Sequence, residues 1–276
     1  MTGETRKAAD EETDMTAAEF GDKVALVTGA GSGIGAATAR LLARRGARAV
    51  YLCDIDRQAA ARTAADITGA TAIGLDVADS AQVDSAFATV LDDHGRVDVV
   101  VHAAGVDDPH SKQRIHEAAE QNRPADVLTH LGDEQWRRIL SVNLDGTFHV
   151  LRAAVRAMKA TGGGAIVTVG SSAAFDTLTG YPHYAASKAG MHALSQAVAK
   201  EVAHFGIRVN TVAPGPVDTG MAARTPAHLR AAMADGASRG YATAAELADN
   251  ILYLASPGAA NVIGAVLLSN GGRFTV

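Results

Sequence analysis

From Lys23 onward, short runs rich in Val, Ile and Ala alternate with longer Ala-rich stretches whose apolar positions recur every three to four residues. That is the pattern of buried strands alternating with amphipathic helices. The runs are Val24 to Thr28, Ala49 to Cys53, Thr71 to Leu75, Val97 to Ala103, Ala165 to Val169, Ile207 to Ala213 and Val266 to Ser269. They are continuously apolar, as strands are when both faces of a sheet are covered. Helical periodicity falls on Ile34 to Arg45, Arg57 to Ile67, Ser80 to His94, Glu134 to Ala160, Tyr184 to Phe205 and Ala244 to Ala255. The alternation predicts an α/β fold, a doubly wound parallel sheet of about seven strands with helices on both faces. No repeat of fixed short period is present.

Composition refines this picture. The 276 residues, 47% hydrophobic and 20% charged, suffice for a full core and fit one domain. The net charge of −5 comes from the first 22 residues, whose seven acids and two bases leave 23 of each sign in the remainder. Residues 1–22 therefore read as a flexible acidic tail and 23–276 as the domain. A neutral body without a basic patch argues against nucleic acid and membrane surfaces as partners, since both require clustered Lys and Arg. The tail holds no apolar run of signal-peptide type, and no later stretch is long enough to span a bilayer. Cys53 is the lone cysteine, so no internal disulfide or cysteine metal site can form. A cytoplasmic location is the expectation.

Candidate chemistry begins directly after the first strand, at Thr28-Gly29-Ala30-Gly31-Ser32-Gly33-Ile34-Gly35. Glycines between a strand and a helix let the backbone approach a dinucleotide pyrophosphate at a helix N-terminus. Gly29, Gly31, Ser32, Gly33, Ile34 and Gly35 are thus cofactor candidates. Asp54 closes the second strand, where a carboxylate would accept hydrogen bonds from adenosine ribose hydroxyls. An acid there favours NAD over NADP, because it repels a 2′-phosphate. Asp76 and Val77, after the third strand, are candidates for the adenine edge, with a turn or helix-capping role for Asp76 as the alternative.

Tyr184 and Lys188 are four apart at the start of a helical stretch and share a face. A phenol exchanges protons near neutral pH only if nearby positive charge stabilises its phenolate, and Lys188 is placed to supply that charge. Ser171 follows the fifth strand, at a carboxyl end of the sheet where ligands bind in open α/β folds. Its hydroxyl is suited to holding a substrate oxygen.

Together TGAGSGIG, Asp54, HAAG at 102–105, Asn143 in SVNLDG, Ser171 thirteen before Tyr184, YAASK and APG at 213–215 resemble the short-chain dehydrogenase/reductase family. The likeness runs from about Lys23 to Gly272. It implies a Rossmann-like fold and a tetrad in which Tyr184 exchanges the proton and Ser171 positions the carbonyl or hydroxyl. Lys188 would bind nicotinamide ribose and lower the tyrosine pKa, and Asn143 would hold a relay water. The thirteen-residue spacing to the tyrosine that is usual in the family would select Ser171 over its neighbour Ser172. Ala104 and Gly105 would lie beside the cofactor, and Pro214, Gly215, Val217 and Thr219 would hold the nicotinamide carboxamide. The activity implied is reversible hydride transfer between NAD and a small-molecule secondary alcohol or ketone, in a homotetramer or homodimer. Two rivals are an NADPH-dependent biosynthetic ketoreductase acting on a carrier-bound or polycyclic ketone, and a non-catalytic dinucleotide-binding protein.

Three features depart from the family pattern. His102-Ala103 replaces the usual pair of asparagines, and His102 reads as a packed or hydrogen-bonded structural residue. Ser269-Asn270-Gly271-Gly272 stands where an Asp-Gly-Gly ending is more usual. Val106 to Gly132 is a polar insertion carrying His110, His116 and His130. No pair of these has the spacing of a zinc helix, so no metal is expected. The insertion would cover the active site or reach a neighbouring subunit. The substrate is expected near 173–183 and 216–241, where Phe175, Leu178, Tyr181 and Met221 would line an apolar pocket and Arg224, Arg230 and Arg239 would equally anchor an anionic tail or face water.

Overall fold

The computed structural model describes residues 19–177, 179–223, 225, 230–231 and 240–276. The tail as far as residue 18, Leu178, Arg224 and Arg239 lie outside that set. Strands β1 (Val24–Thr28), β2 (Ala49–Asp54), β3 (Ala70–Gly74), β4 (Val99–His102), β5 (Gly164–Val169), β6 (Ile207–Pro214) and β9 (Val266–Ser269) form one sheet. Its order is β3-β2-β1-β4-β5-β6-β9, every pair parallel. Two short strands, β7 (Val217–Asp218) and β8 (Ala242–Thr243), pair beside it. This is a Rossmann-like doubly wound sheet in a single domain, and the order of strands reverses between β1 and β4.

The helices are α1 (Gly33–Arg44), α2 (Arg57–Ala64), α3 (Ser80–His94), α4 (Pro109–Glu120), α5 (Asp133–Leu140), α6 (Gly146–Thr161), α7 (Pro182–Val202), α8 (Gly220–Ala223) and α9 (Ala244–Ala255). Alternation along each strand sends side chains to two cores. Val24, Leu26 and Val100 join Val83, Phe87, Leu151 and Met158 beneath α3 and α6. Ala25, Val27 and Val101 join Ala39, Leu42, Leu247 and Ile251 beneath α1 and α9. All five residues of β1 are buried, which explains the absence of a polar alternation in the sequence.

The structure corrects three sequence-based boundaries. The body starts before Lys23: Phe20 is buried, its N–H donates to the Arg45 carbonyl at 3.0 Å, and Glu19 pairs with Arg45 at 2.8 Å. An aromatic ring supplies more burial energy than the surrounding acids oppose. The long helix expected over 134–160 is divided, with a π-helical turn, Ser141–Asp145, between α5 and α6. The insertion is not a plain loop. Asp108 caps α4 by accepting from the N–H groups of His110 (3.1 Å) and Ser111 (3.2 Å), and Pro109 begins the helix.

Candidate active site

The glycine-rich turn is built for close backbone approach. A side chain at Gly29, whose φ is +66°, would meet the Ala103 carbonyl and the Ala104 nitrogen at 2.8 Å. One at Gly31 would meet the Asp54 carboxylate at 2.8 Å. At Gly33, a Cβ would stand 3.3 Å from Thr219. At Gly105 it would stand 3.3 Å from the Asn143 amide oxygen and 3.4 Å from Lys188 Nζ. These near-contacts link the glycine turn, Asp54, Ala104, Gly105, Thr219 and the catalytic candidates into one floor at the carboxyl end of the sheet. Ser32 is the N-cap of α1, yet its side chain makes no capping bond, and Ile34 lies in that helix's first turn.

Asp54 Oδ2 accepts the Gly31 N–H at 2.9 Å and Oδ1 accepts that of Asp56 at 3.0 Å. The carboxylate is thereby fixed at the end of β2 beside the phosphate-type turn. Gly215 lies against Asn270, and its N–H donates to the Ser269 carbonyl at 2.9 Å, so the unusual Ser-Asn pair closes the backbone behind Pro214. Asp76 belongs to the turn into α3, its Oδ1 accepting from Ala78 at 2.9 Å, and Val77 is buried against Gly146. These residues fit a dinucleotide: a glycine cradle that any side chain would fill, a helix start, and an acid at the end of β2 beside that cradle.

Tyr184, Lys188 and His192 share one face of α7, and Ser171 sits opposite at the end of β5. Lys188 Nζ donates to the Val169 carbonyl at 2.9 Å and lies 6.0 Å from the Tyr184 ring centre. Burial pulls its pKa down to about 8. Burial pushes the Tyr184 phenol up, a hydrogen bond from Ser171 opposes this, and the charge of Asp107 adds to it. The net direction is thus opposite to the lowering expected from Lys188, because burial dominates and Ser171 supplies the opposing hydrogen bond. Ser171 Oγ accepts the Ala173 N–H at 3.1 Å, and its own N–H donates to His192 Nε2 at 3.3 Å.

Asn143, in the π-helical turn, is committed through its side chain. Its Oδ1 accepts the Val106 N–H at 2.9 Å, and its Nδ2 donates to the Val106 carbonyl at 3.0 Å and to Ser187 Oγ at 3.2 Å. Thr147 Oγ1 donates to the Asn143 main-chain carbonyl at 2.7 Å. Since Thr147 spends its proton there, it must accept from His102 Nε2 at 3.1 Å. His102 Nδ1 then accepts from Thr28 Oγ1 at 2.8 Å, and Thr28 accepts from the Ala104 N–H at 3.2 Å. His102 is fully buried, and burial, with the charge of Lys188, lowers its pKa to about 3. It is a neutral strut joining β1, β4 and α6, in line with its reading as a hydrogen-bonded structural residue.

The insertion folds back over this end of the sheet. His183, just before Tyr184, holds Asp108 Oδ2 at 3.2 Å. Lys112 pairs with Asp107 and donates to the Met221 carbonyl at 3.2 Å. A side chain at Gly180 would strike Ile115. His116 pairs with Glu120 and His130 with Asp126. Among the described residues no group of three or more His, Cys, Asp or Glu is placed to hold a metal, and no helix is long and apolar enough to cross a membrane. A cleft of about 560 Å³ runs between 125–128 of the insertion and Pro182, Ala185, Ala186 and Ala189. Those positions lie on the face of α7 turned away from Tyr184 and Lys188. Sequence reasoning missed His183, His192, Asp107, Asp108 and Lys112. Only His192 carried a signal, its spacing of four from Lys188.

Residues 23–230 match the family model for short chain dehydrogenases. The chain is 40% identical over 262 residues to cis-4-hydroxycyclohexanecarboxylate dehydrogenase of Sinomonas cyclohexanicum, covering 93% of this chain and 98% of that one. It is 39% identical to the galactitol 2-dehydrogenase (L-tagatose-forming) of Cereibacter sphaeroides, covering 91% and 94%. It is 35% identical to the 3-oxoacyl-[acyl-carrier-protein] reductase FabG of Escherichia coli strain K12, covering 93% and 99%. The crystal structure of gox2181 superposes with a TM-score of 0.84 at 29% identity, covering 94% and 98%.

Proposed function

Because the chain belongs to the short-chain dehydrogenase family, we propose that it is an oxidoreductase moving hydride reversibly between NAD(H) and a secondary alcohol or ketone. The observation that carries this reading is the meeting of Ser171, Tyr184 and Lys188 with the glycine turn at one end of the sheet. Gly29 to Gly35, Asp54, Ala104, Gly105 and the 214–219 segment would hold the dinucleotide. When bound, it supplies the hydride acceptor for oxidation and the donor for reduction. Asp54 supports NAD, because a fixed carboxylate beside the ribose position repels a 2′-phosphate.

Tyr184 Oη exchanges the proton with the substrate oxygen, which Ser171 Oγ orients by hydrogen bonding. Lys188, held by the Val169 carbonyl, places its ammonium on the same side of α7 and offsets phenolate charge. Asn143 fixes the entry of the insertion through Val106, and its main-chain carbonyl accepts from Thr147 Oγ1. The enzyme is read as a cytoplasmic homo-oligomer, dimer or tetramer, with exposed Phe148 and Tyr253 as apolar surface suited to subunit contact.

The test has two parts. Titration should show NADH binding more tightly than NADPH, and Tyr184→Phe should lower kcat at least about 100-fold with NADH affinity retained. Absence of NADH binding, or full turnover in the Tyr184→Phe variant, overturns the assignment. A preference for NADPH overturns the role given to Asp54.

A further inference from the structure

We propose that Asp107 and Lys112 form a substrate-selecting wall of the active site and receive a second hydroxyl of the substrate, so that the alcohol oxidised is a diol or polyol. This rests on the dehydrogenase reading above and extends it to substrate class. Beyond β4 the chain passes Gly105, which abuts Lys188 and Asn143, and Asn143 clamps Val106 through both backbone groups. Asp107 is thus fixed one residue beyond a clamped position. Its negative charge adds to the burial that raises the Tyr184 phenol and, with that of Asp108, to the burial that pushes Tyr181 up to about 12, so both phenols lie within its electrostatic reach. Lys112, from the first turns of α4, meets Asp107 from one side and the Met221 carbonyl of α8 from the other. The pair thereby ties the segment after β4 to α8.

Both side chains are nearly buried, at 10% and 12% exposure. Such an ion pair is a costly wall compared with apolar residues of similar size. A hydrocarbon substrate would bury it further without returning a hydrogen bond. A hydroxyl can donate to the Asp107 carboxylate and accept from Lys112, whose three protons are only partly used by Asp107 and Met221. A carboxylate on the substrate would be attracted by Lys112 but repelled by Asp107, so the neutral pair returns it less than a hydroxyl, which can use both partners. The chemistry therefore points to a second, neutral hydroxyl.

The experiment follows NAD reduction by the full-length enzyme with cyclohexanol, 1,2-cyclohexanediol in both stereoisomers, galactitol and 4-hydroxycyclohexanecarboxylate. A diol or galactitol is expected to exceed cyclohexanol in kcat/KM by at least about 10-fold. Lys112→Met and Asp107→Asn should each lower that ratio by about 10-fold or more, chiefly through KM, and Lys112→Arg should retain more of it. A ratio within one preparation is independent of how much of the variant folds. Equal use of cyclohexanol or the carboxylate, or a ratio that survives both substitutions, overturns the proposal. NADH binding without oxidation of any diol or of galactitol overturns this inference alone. Failure to bind NADH overturns the reading beneath it.

Discussion

At residue scale, charge and hydrogen-bond direction decide roles that residue type leaves open. Asp54 illustrates this, since its carboxylate is held by the Gly31 and Asp56 N–H groups and cannot swing away from an incoming ribose. Asp54→Ala removes the charge and is expected to reduce the preference for NADH over NADPH by about 10-fold, the effect of roughly 1.4 kcal/mol. Parallel titrations with the two cofactors measure it, and an unchanged ratio would remove Asp54 from the specificity argument. His102 is the counterpart among buried groups. Its neutral form is enforced by a chain of donors and acceptors running from Ala104 to Asn143. A histidine near the reacting groups invites a proton-relay role, but a pKa lowered to about 3 leaves it uncharged at neutral pH.

At the scale of elements, the insertion behaves as a small folded unit tied down by side chains. Asp108 joins its helix cap to His183 at the start of the helix bearing Tyr184. Asp108→Ala removes the cap and leaves a buried histidine without its carboxylate, so a loss of about 1–3 kcal/mol is expected. Hydrogen exchange should show deprotection over 108–120, and unchanged protection there would refute the anchoring role. The π-helical turn at Ser141–Asp145 has a comparable function, because it lets Asn143 turn its amide onto Val106 and Ser187. π-Bulges inside α-helices recur at functional sites for this reason.

For the whole molecule, two buried histidines set a common acid limit. The folded values of His102 and His192, lowered to about 3 and about 4, lie below the unfolded value of about 6.5. Their contribution to stability is complete above about pH 6.5 and declines as pH falls through the window to about 4 and then 3. Each group adds a slope of up to about 1.4 kcal/mol per pH unit within its window. Urea unfolding midpoints at pH 7.5 and pH 5 should therefore differ, with less difference in His102→Asn, and identical midpoints would exclude the effect. Sedimentation equilibrium decides the association proposed above, since a monomer at micromolar concentration would contradict it.

By itself the sequence determined the layering, because continuous apolar runs separated by amphipathic stretches have few other ways to bury both faces of each strand. It also marked Gly29 and Gly31, where close backbone approach excludes a side chain, and Asp54, Ser171, Tyr184 and Lys188, whose order along the chain matches the family pattern. Tertiary structure alone decided the rest. Phe20 docks on Arg45, the polar insertion becomes a capped helix over the site, and His102 becomes a strut; each depends on partners far away in the chain. A side chain's burial and pKa follow from what packs around it in space, and periodicity along the chain carries no record of that.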